Sequence, residues 1–202
     1  MAVNSNIKTK NNFVQMDQMR GAIHSKSFVK GKTLNIFYIH LDVYDETAEK
    51  RVRELQVLHE YIISKRLVNV IVIGDFNDSI DEPENSNSLW PLVDAENLYF
   101  VDIDIASGSS QYWSYPSWPS HIDHILINHN LFDENLNSET STIMLNQYIF
   151  DYYSTISDHM PVIWSAQINN QQTPDGLVIN EIMNYSIQGP SGDWFEITNL
   201  DQ

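Results

Sequence analysis

Residues 68–74, VNVIVIG, constrain this chain most: a short apolar run closed by glycine reads as a strand buried on both faces. Ahead of it, over about residues 46–65, Val52, Leu55, Leu58 and Ile62 recur at helical spacing, and Asp45 stands where an N-cap belongs. Earlier still, residues 33–43, TLNIFYIHLDV, are rich in β-branched and aromatic side chains and read as another largely buried strand. Strand, helix and buried strand in succession make a β-α-β unit, which favours a mixed α/β architecture. Further strands are expected at 98–103, 122–127 and 160–168, and the polar, proline-containing stretch 169–175 reads as a linker. The opening residues, MAVNSNIKTKNNF, carry neither a strand nor a helix pattern, nor the apolar stretch of a signal peptide. No apolar run approaches the length that spans a bilayer.

Composition narrows the chemistry. The chain lacks cysteine, which excludes a disulfide framework, a thiolate zinc site and a cysteine nucleophile together. Its 11 Lys and Arg all lie at or before Arg66, so that part carries a net charge of +4 and the remaining 136 residues −20. A basic stripe for holding phosphates is therefore possible only in the first third. Most of the acids are accounted for by solubility. For a site built later in the chain, a divalent cation is the obvious source of positive charge.

Four polar groups stand at the tips of apolar strands. Gly74-Asp75-Phe76-Asn77-Asp78 follows the buried strand directly, where α/β sheets collect ligands and catalytic groups. A carboxylate there can take a proton from water; taken alone, the segment is equally an Asx-rich turn. His40 sits near the end of strand 33–43, Asp123 opens the strand at 122–127, and the pair Asp158-His159 precedes the strand at 160–168.

Taken in this order, the HL-containing strand, GDFN, S-H-I-D-H-I and SDHMPV resemble the endonuclease/exonuclease/phosphatase superfamily over roughly residues 17–168. The resemblance implies an α+β fold (a four-layer α/β sandwich), with two mixed β-sheets packed face to face and helices outside. It implies that Asp75 activates water, that Asn77 hydrogen-bonds the scissile phosphate, and that His40 lies near that phosphate. Asp123 would stand beside phosphate and metal, Asp158 would orient the last histidine or contact metal, and His159 would stabilise the developing charge. Arg20 matches a phosphate-contacting arginine, more weakly. The implied cofactor is Mg²⁺, or Mn²⁺ or Ca²⁺, held by Asp75, Asn77 and Asp158, since hard oxygen ligands suit these ions.

The expected activity is metal-dependent hydrolysis of a phosphodiester by water attack on phosphorus, with nucleic acid the first substrate. A phosphatase, a lipid phosphodiesterase and a non-catalytic interaction module that kept the fold are the alternatives. The superfamily also carries a metal-binding Glu and an Asn on strands upstream of the His-Leu segment, and nothing before Arg20 resembles them. Residues 1–168 are accordingly expected to be the C-terminal part of the catalytic domain, with impaired activity. Residues 175–182 and 192–199 resemble the opening of a lamin-tail domain, an immunoglobulin-like β-sandwich, so 176–202 are expected to begin a second domain. That module implies a secreted or cell-surface parent.

Overall fold

The computed structural model describes residues 9–14, 21–42, 48–170, 173–183 and 194–199. Among them the strands are β1 (Thr9–Val14), β2 (Ala22–Val29), β3 (Lys32–His40), β4 (Val70–Asp75), β5 (Leu98–Phe100), β6 (Asp123–Asn128), β7 (Glu139–Thr142), β8 (Val162–Asn170), β9 (Thr173–Met183) and β10 (Trp194–Asn199). A 16-residue helix, α1 (Glu49–Ser64), joins β3 to β4. One sheet has the order β1-β2-β3-β4-β6-β5 and the other β10-β9-β8-β7. β3 and β4 pair in parallel across α1, which makes the first sheet mixed. All pairs of the second sheet are antiparallel.

The period of two along each central strand assigns its side chains to two cores. Val70 and Val72 of β4, Phe37 and Ile39 of β3 and Leu126 of β6 face Leu55, Leu58 and Ile62 of α1. Their neighbours Ile71, Ile73, Leu34, Ile36, Ile125 and Ile127 face the other way, against Val162, Trp164, Ala166 and Ile168 of β8. The first sheet is thus covered by a helix on one face and by the second sheet on the other. Every residue of β4 is buried, as its apolar run requires.

Two sequence expectations change. The opening stretch is not patternless, since Thr9–Val14 form β1 and pair with β2. The strand expected over 98–103 stops at Phe100. Val101 still donates its N–H to Ile125, but the Asp102 carboxylate takes the next ladder position and a short helix starts at Ile103. Within the polar stretch 169–175, Asn170 at the end of β8 pairs with Thr173 at the start of β9. β9 and β10, which carry the lamin-tail-like sequence, lie in one sheet with β7 and β8. Asp45, the expected N-cap, lies outside the described residues. Among the described residues no helix is long and apolar enough to cross a membrane.

Candidate active site

The central strands deliver three polar residues to one end of the sheet. His40 pairs with Asp75 across the parallel β3–β4 ladder, and Asp75 pairs with Asp123 across β4 and β6. Gly74 makes this possible. Its φ is +141°, and a Cβ there would lie 1.9 Å from the Ile39 carbonyl oxygen, so only glycine lets β3 and β4 approach beside Asp75. Past the strand, the Asn77 N–H donates to Asp75 Oδ1 at 2.8 Å, which is an Asx-turn. Asn77 itself has φ 51°, a left-handed conformation that asparagine tolerates. Its Nδ2 donates to the Leu41 carbonyl at 2.8 Å, anchoring the side chain to the end of β3. The turn reading and the catalytic reading of this segment are therefore compatible.

The third element arrives from the second sheet. His159, three residues before β8, places Nδ1 2.7 Å from Asp123 Oδ2. Asp75, Asp123 and His159 bring one ligating atom each within 4.8 Å of one another. His40 Nε2 stands 3.6 Å from Asp75 Oδ2, an ion-pair rather than a hydrogen-bond distance. The Tyr115 ring lies against the His159 ring at 4.8 Å between centroids. Asp158 neighbours His159 and acts on it electrostatically, but it does not belong to the converging cluster. Arg20 lies outside the described residues.

Burial and the company of two carboxylates set the charges. Burial pushes the Asp75 carboxyl up to about 7, helped by Asp123 and opposed by His159, the Asn77 N–H and His124. Burial alone would lower His159, but the charge and hydrogen bond of Asp123, with Asp75 and Asp158 behind them, carry it up to about 9. Burial likewise works against Asp123, yet the His159 charge, its hydrogen bond and that of Ser114 hold this carboxyl below the usual range. Near neutral pH the site is an Asp123–His159 ion pair beside a carboxyl poised to gain or lose a proton.

These shifts predict how stability depends on pH. His159 rises from 6.5 to about 9 on folding, so its stabilisation is complete below 6.5 and is lost as pH climbs through 9. That rise corresponds to about 3 kcal/mol. Asp75 rises from 3.8 to about 7, so the fold favours its neutral form and loses stability between those values as pH increases. Urea unfolding at a series of pH values should show the alkaline limb in the native sequence and a flatter one in Asp123→Asn. Equal slopes in both proteins would refute the assignment.

Several residues around the site carried no motif. Arg51, on α1, donates Nε to Ser88 Oγ at 3.1 Å and Nη1 to the Asp42 carbonyl at 3.1 Å, with Nη2 3.6 Å from Asp78 Oδ2. Ser88 donates its N–H to the same Asp78 oxygen at 3.0 Å, and its hydroxyl also donates there. The helix thereby grips the turn that bears Asp75 and Asn77. A charged residue among the apolar positions of α1 was the one available signal. Ser114, fully buried, lies within the aromatic segment 112–119, of which Trp118 remains 78% exposed.

No protein-family model and no curated protein matches the chain. Solved structures do. D. rerio TDP2 humanised by 14 mutations shares 15% identity over 77% of this chain and 65% of that one, with a TM-score of 0.57. D. rerio TDP2 complexed with single strand DNA product gives 14%, 77%, 66% and 0.57, and truncated Caenorhabditis elegans TDP2 gives 13%, 78%, 65% and 0.57. The chain spans just under two thirds of the length of these proteins. At such identities the likeness concerns the fold alone, two packed sheets with helices outside, which is the α+β architecture expected from the sequence.

Proposed function

We propose that this chain is a metal-dependent phosphodiester hydrolase, most readily a nuclease. The observation that carries the reading is the convergence of Asp75, Asp123 and His159 at one end of the central strands. A carboxyl raised to about 7 is suited to take a proton from water at neutral pH. A histidine raised to about 9 stays protonated and can donate to a phosphate oxygen as charge develops. Asp123 keeps that imidazole oriented and charged, and Asn77, pinned by Leu41, offers its amide to the substrate.

Asp75 and Asp123 are two buried carboxylates facing one histidine cation, so the cluster has negative charge to spare for a hard ion. The charged His159 is not a ligand, and the motif likeness points to Asp75, Asn77 and Asp158 as the residues that would hold Mg²⁺. An ion on Asp75 would lower its carboxyl again, so the raised value belongs to the ion-free site. When bound, the ion would neutralise charge on the phosphate and so ease the approach of water. Among the described residues no glutamate joins the cluster, so weak ion affinity and modest turnover are expected. The single strand DNA product in the D. rerio TDP2 structure supports nucleic acid as the substrate class. The lamin-tail likeness of residues 176–202 supports a second domain beginning there, its first strands β9 and β10 continuing the sheet of β7 and β8.

The test offers the protein plasmid DNA, a single-stranded oligonucleotide, a phosphomonoester and sphingomyelin, each with Mg²⁺ or Mn²⁺. Slow, chelator-sensitive cleavage of DNA is expected. Hydrolysis of the phosphomonoester or the lipid alone would replace the nuclease reading, and no turnover of any of them would remove the enzymatic one.

A further inference from the structure

Beside the site lies a second buried trio, Asp102, His121 and His124, with exposures of 0, 1 and 0%. Its residue types suit a metal, and one ligating atom from each falls within 4.8 Å of the others. The hydrogen bonds argue otherwise. Asp102 Oδ2 accepts from His121 Nε2 at 3.0 Å and from His124 Nδ1 at 2.6 Å, while Oδ1 accepts the Ile125 N–H at 2.9 Å. On the far side of each ring, His124 Nε2 donates to the Asp78 carbonyl at 2.9 Å and His121 Nδ1 accepts the Ser114 N–H at 3.2 Å.

Protonation can be assigned from those partners. His121 must keep a lone pair on Nδ1, so it is the neutral Nε2–H tautomer. His124 faces an acceptor at each nitrogen, so it carries both protons and forms an ion pair with Asp102. Consistently, burial works against the charge, but Asp102, the Asp78 carbonyl and Asp123 outweigh it and hold the His124 imidazole above its ordinary value. Every nitrogen of the trio is engaged, as are both oxygens of Asp102.

A buried ion pair of this kind is a poor source of stability, since well-packed apolar residues of similar size serve as well or better. What it does supply is position. His124 reaches Asp78 at the end of the turn bearing Asp75 and Asn77. His121 fixes Ser114, whose Oγ accepts the N–H groups of Ile122 and Asp123, both at 3.2 Å. The Ser114 carbonyl accepts the N–H of Met160, next to His159, at 2.6 Å. One carboxylate thus reaches, through two imidazoles, all three segments that carry the converging cluster.

We propose that Asp102, acting through His121 and His124, is a positioning residue that sets the mutual placement of Asp75, Asp123 and His159. As a statement about rate it rests on the hydrolase reading above; as a statement about placement it does not.

The experiment compares the native sequence with the nearly isosteric Asp102→Asn and with the apolar triple variant Asp102→Ala/His121→Leu/His124→Leu, which keeps the summed side-chain volume. The triple variant is expected to remain folded, with a urea midpoint lowered by the Ile125 N–H, Ser114 N–H and Asp78 carbonyl that it leaves unpaired. In both variants kcat should fall about 100-fold with KM little changed, a displacement of catalytic groups of the order of 1 Å being enough. Independently of turnover, amide hydrogen exchange should accelerate at Asn77, Asp123 and Met160 and stay unchanged at Leu55 and Leu58 in α1. If the native protein turns over no phosphoester, the exchange pattern alone still decides the claim. Native exchange rates at those three amides, native kcat, or acceleration spread evenly into α1 would each overturn it. So would purification of the native protein with one tightly held zinc that Asp102→Asn releases.

Discussion

Gly74→Ala is expected to leave little folded protein at room temperature. The added methyl would sit 1.9 Å from the Ile39 carbonyl oxygen and 2.9 Å from its carbon, both backbone atoms of the neighbouring strand. No rotamer change can relieve that contact, so β3 and β4 must part where Ile39 pairs with Gly74. The backbone penalty of φ +141° for a residue with a Cβ adds to it, and such conformations cost about 1–3 kcal/mol on their own. Domains of this size hold only about 5–15 kcal/mol in total. β4 is buried along its whole length and central to its sheet, so a break here exposes both cores. Circular dichroism on heating is the check; a melting curve like the native one would mean that the ladder yields at small cost.

Asp75→Asn should move activity and stability in opposite directions. Removing the proton acceptor should lower the rate about 100- to 10,000-fold, the usual scale for a general base. Stability without added metal should rise. Asp75 and Asp123 stand directly opposite one another on β4 and β6, and like charges in that relation are unfavourable. Burial adds to the cost, as the rise of Asp75 to about 7 records. The gain in urea midpoint should therefore be larger at pH 8 than at pH 5, where the native carboxyl is already neutral. His159→Ala lacks that compensation and should lose both rate and stability. An Asp75→Asn protein with near-native turnover would end the assignment of Asp75 as the base.

Legibility followed the hydrophobic pattern. β4 was readable because it is an unbroken apolar run closed by glycine, and α1 because its buried residues recur at intervals of three or four. β2 was not, because it inverts the rule: His24, Ser25 and Ser27 point inward while Ile23 and Phe28 are half exposed. His24 is accommodated by stacking on Phe37 at 4.3 Å and by its bond to Asn35 at 3.0 Å, partners that no local pattern reveals. The candidate site was largely readable, since each residue closes or precedes a recognisable strand. The Asp102 trio was not, because it joins positions separated by 19 and 22 residues. An acid inside the run YFVDIDI was its only trace, and that run reads first as an unbroken strand.

The parallel pairing of β3 with β4 also bears on how the chain acquires its site. Antiparallel neighbours can zip from a tight turn, whereas these two strands meet only after the intervening helix has closed a long crossover. His40 and Asp75 come together at that step, Asp123 joins when β6 docks, and His159 only when the second sheet covers the first. A chain folding in that order would hold helix and strands before Asp75, Asp123 and His159 meet. During refolding the assembly of that cluster is expected to come last, after collapse and after most secondary structure.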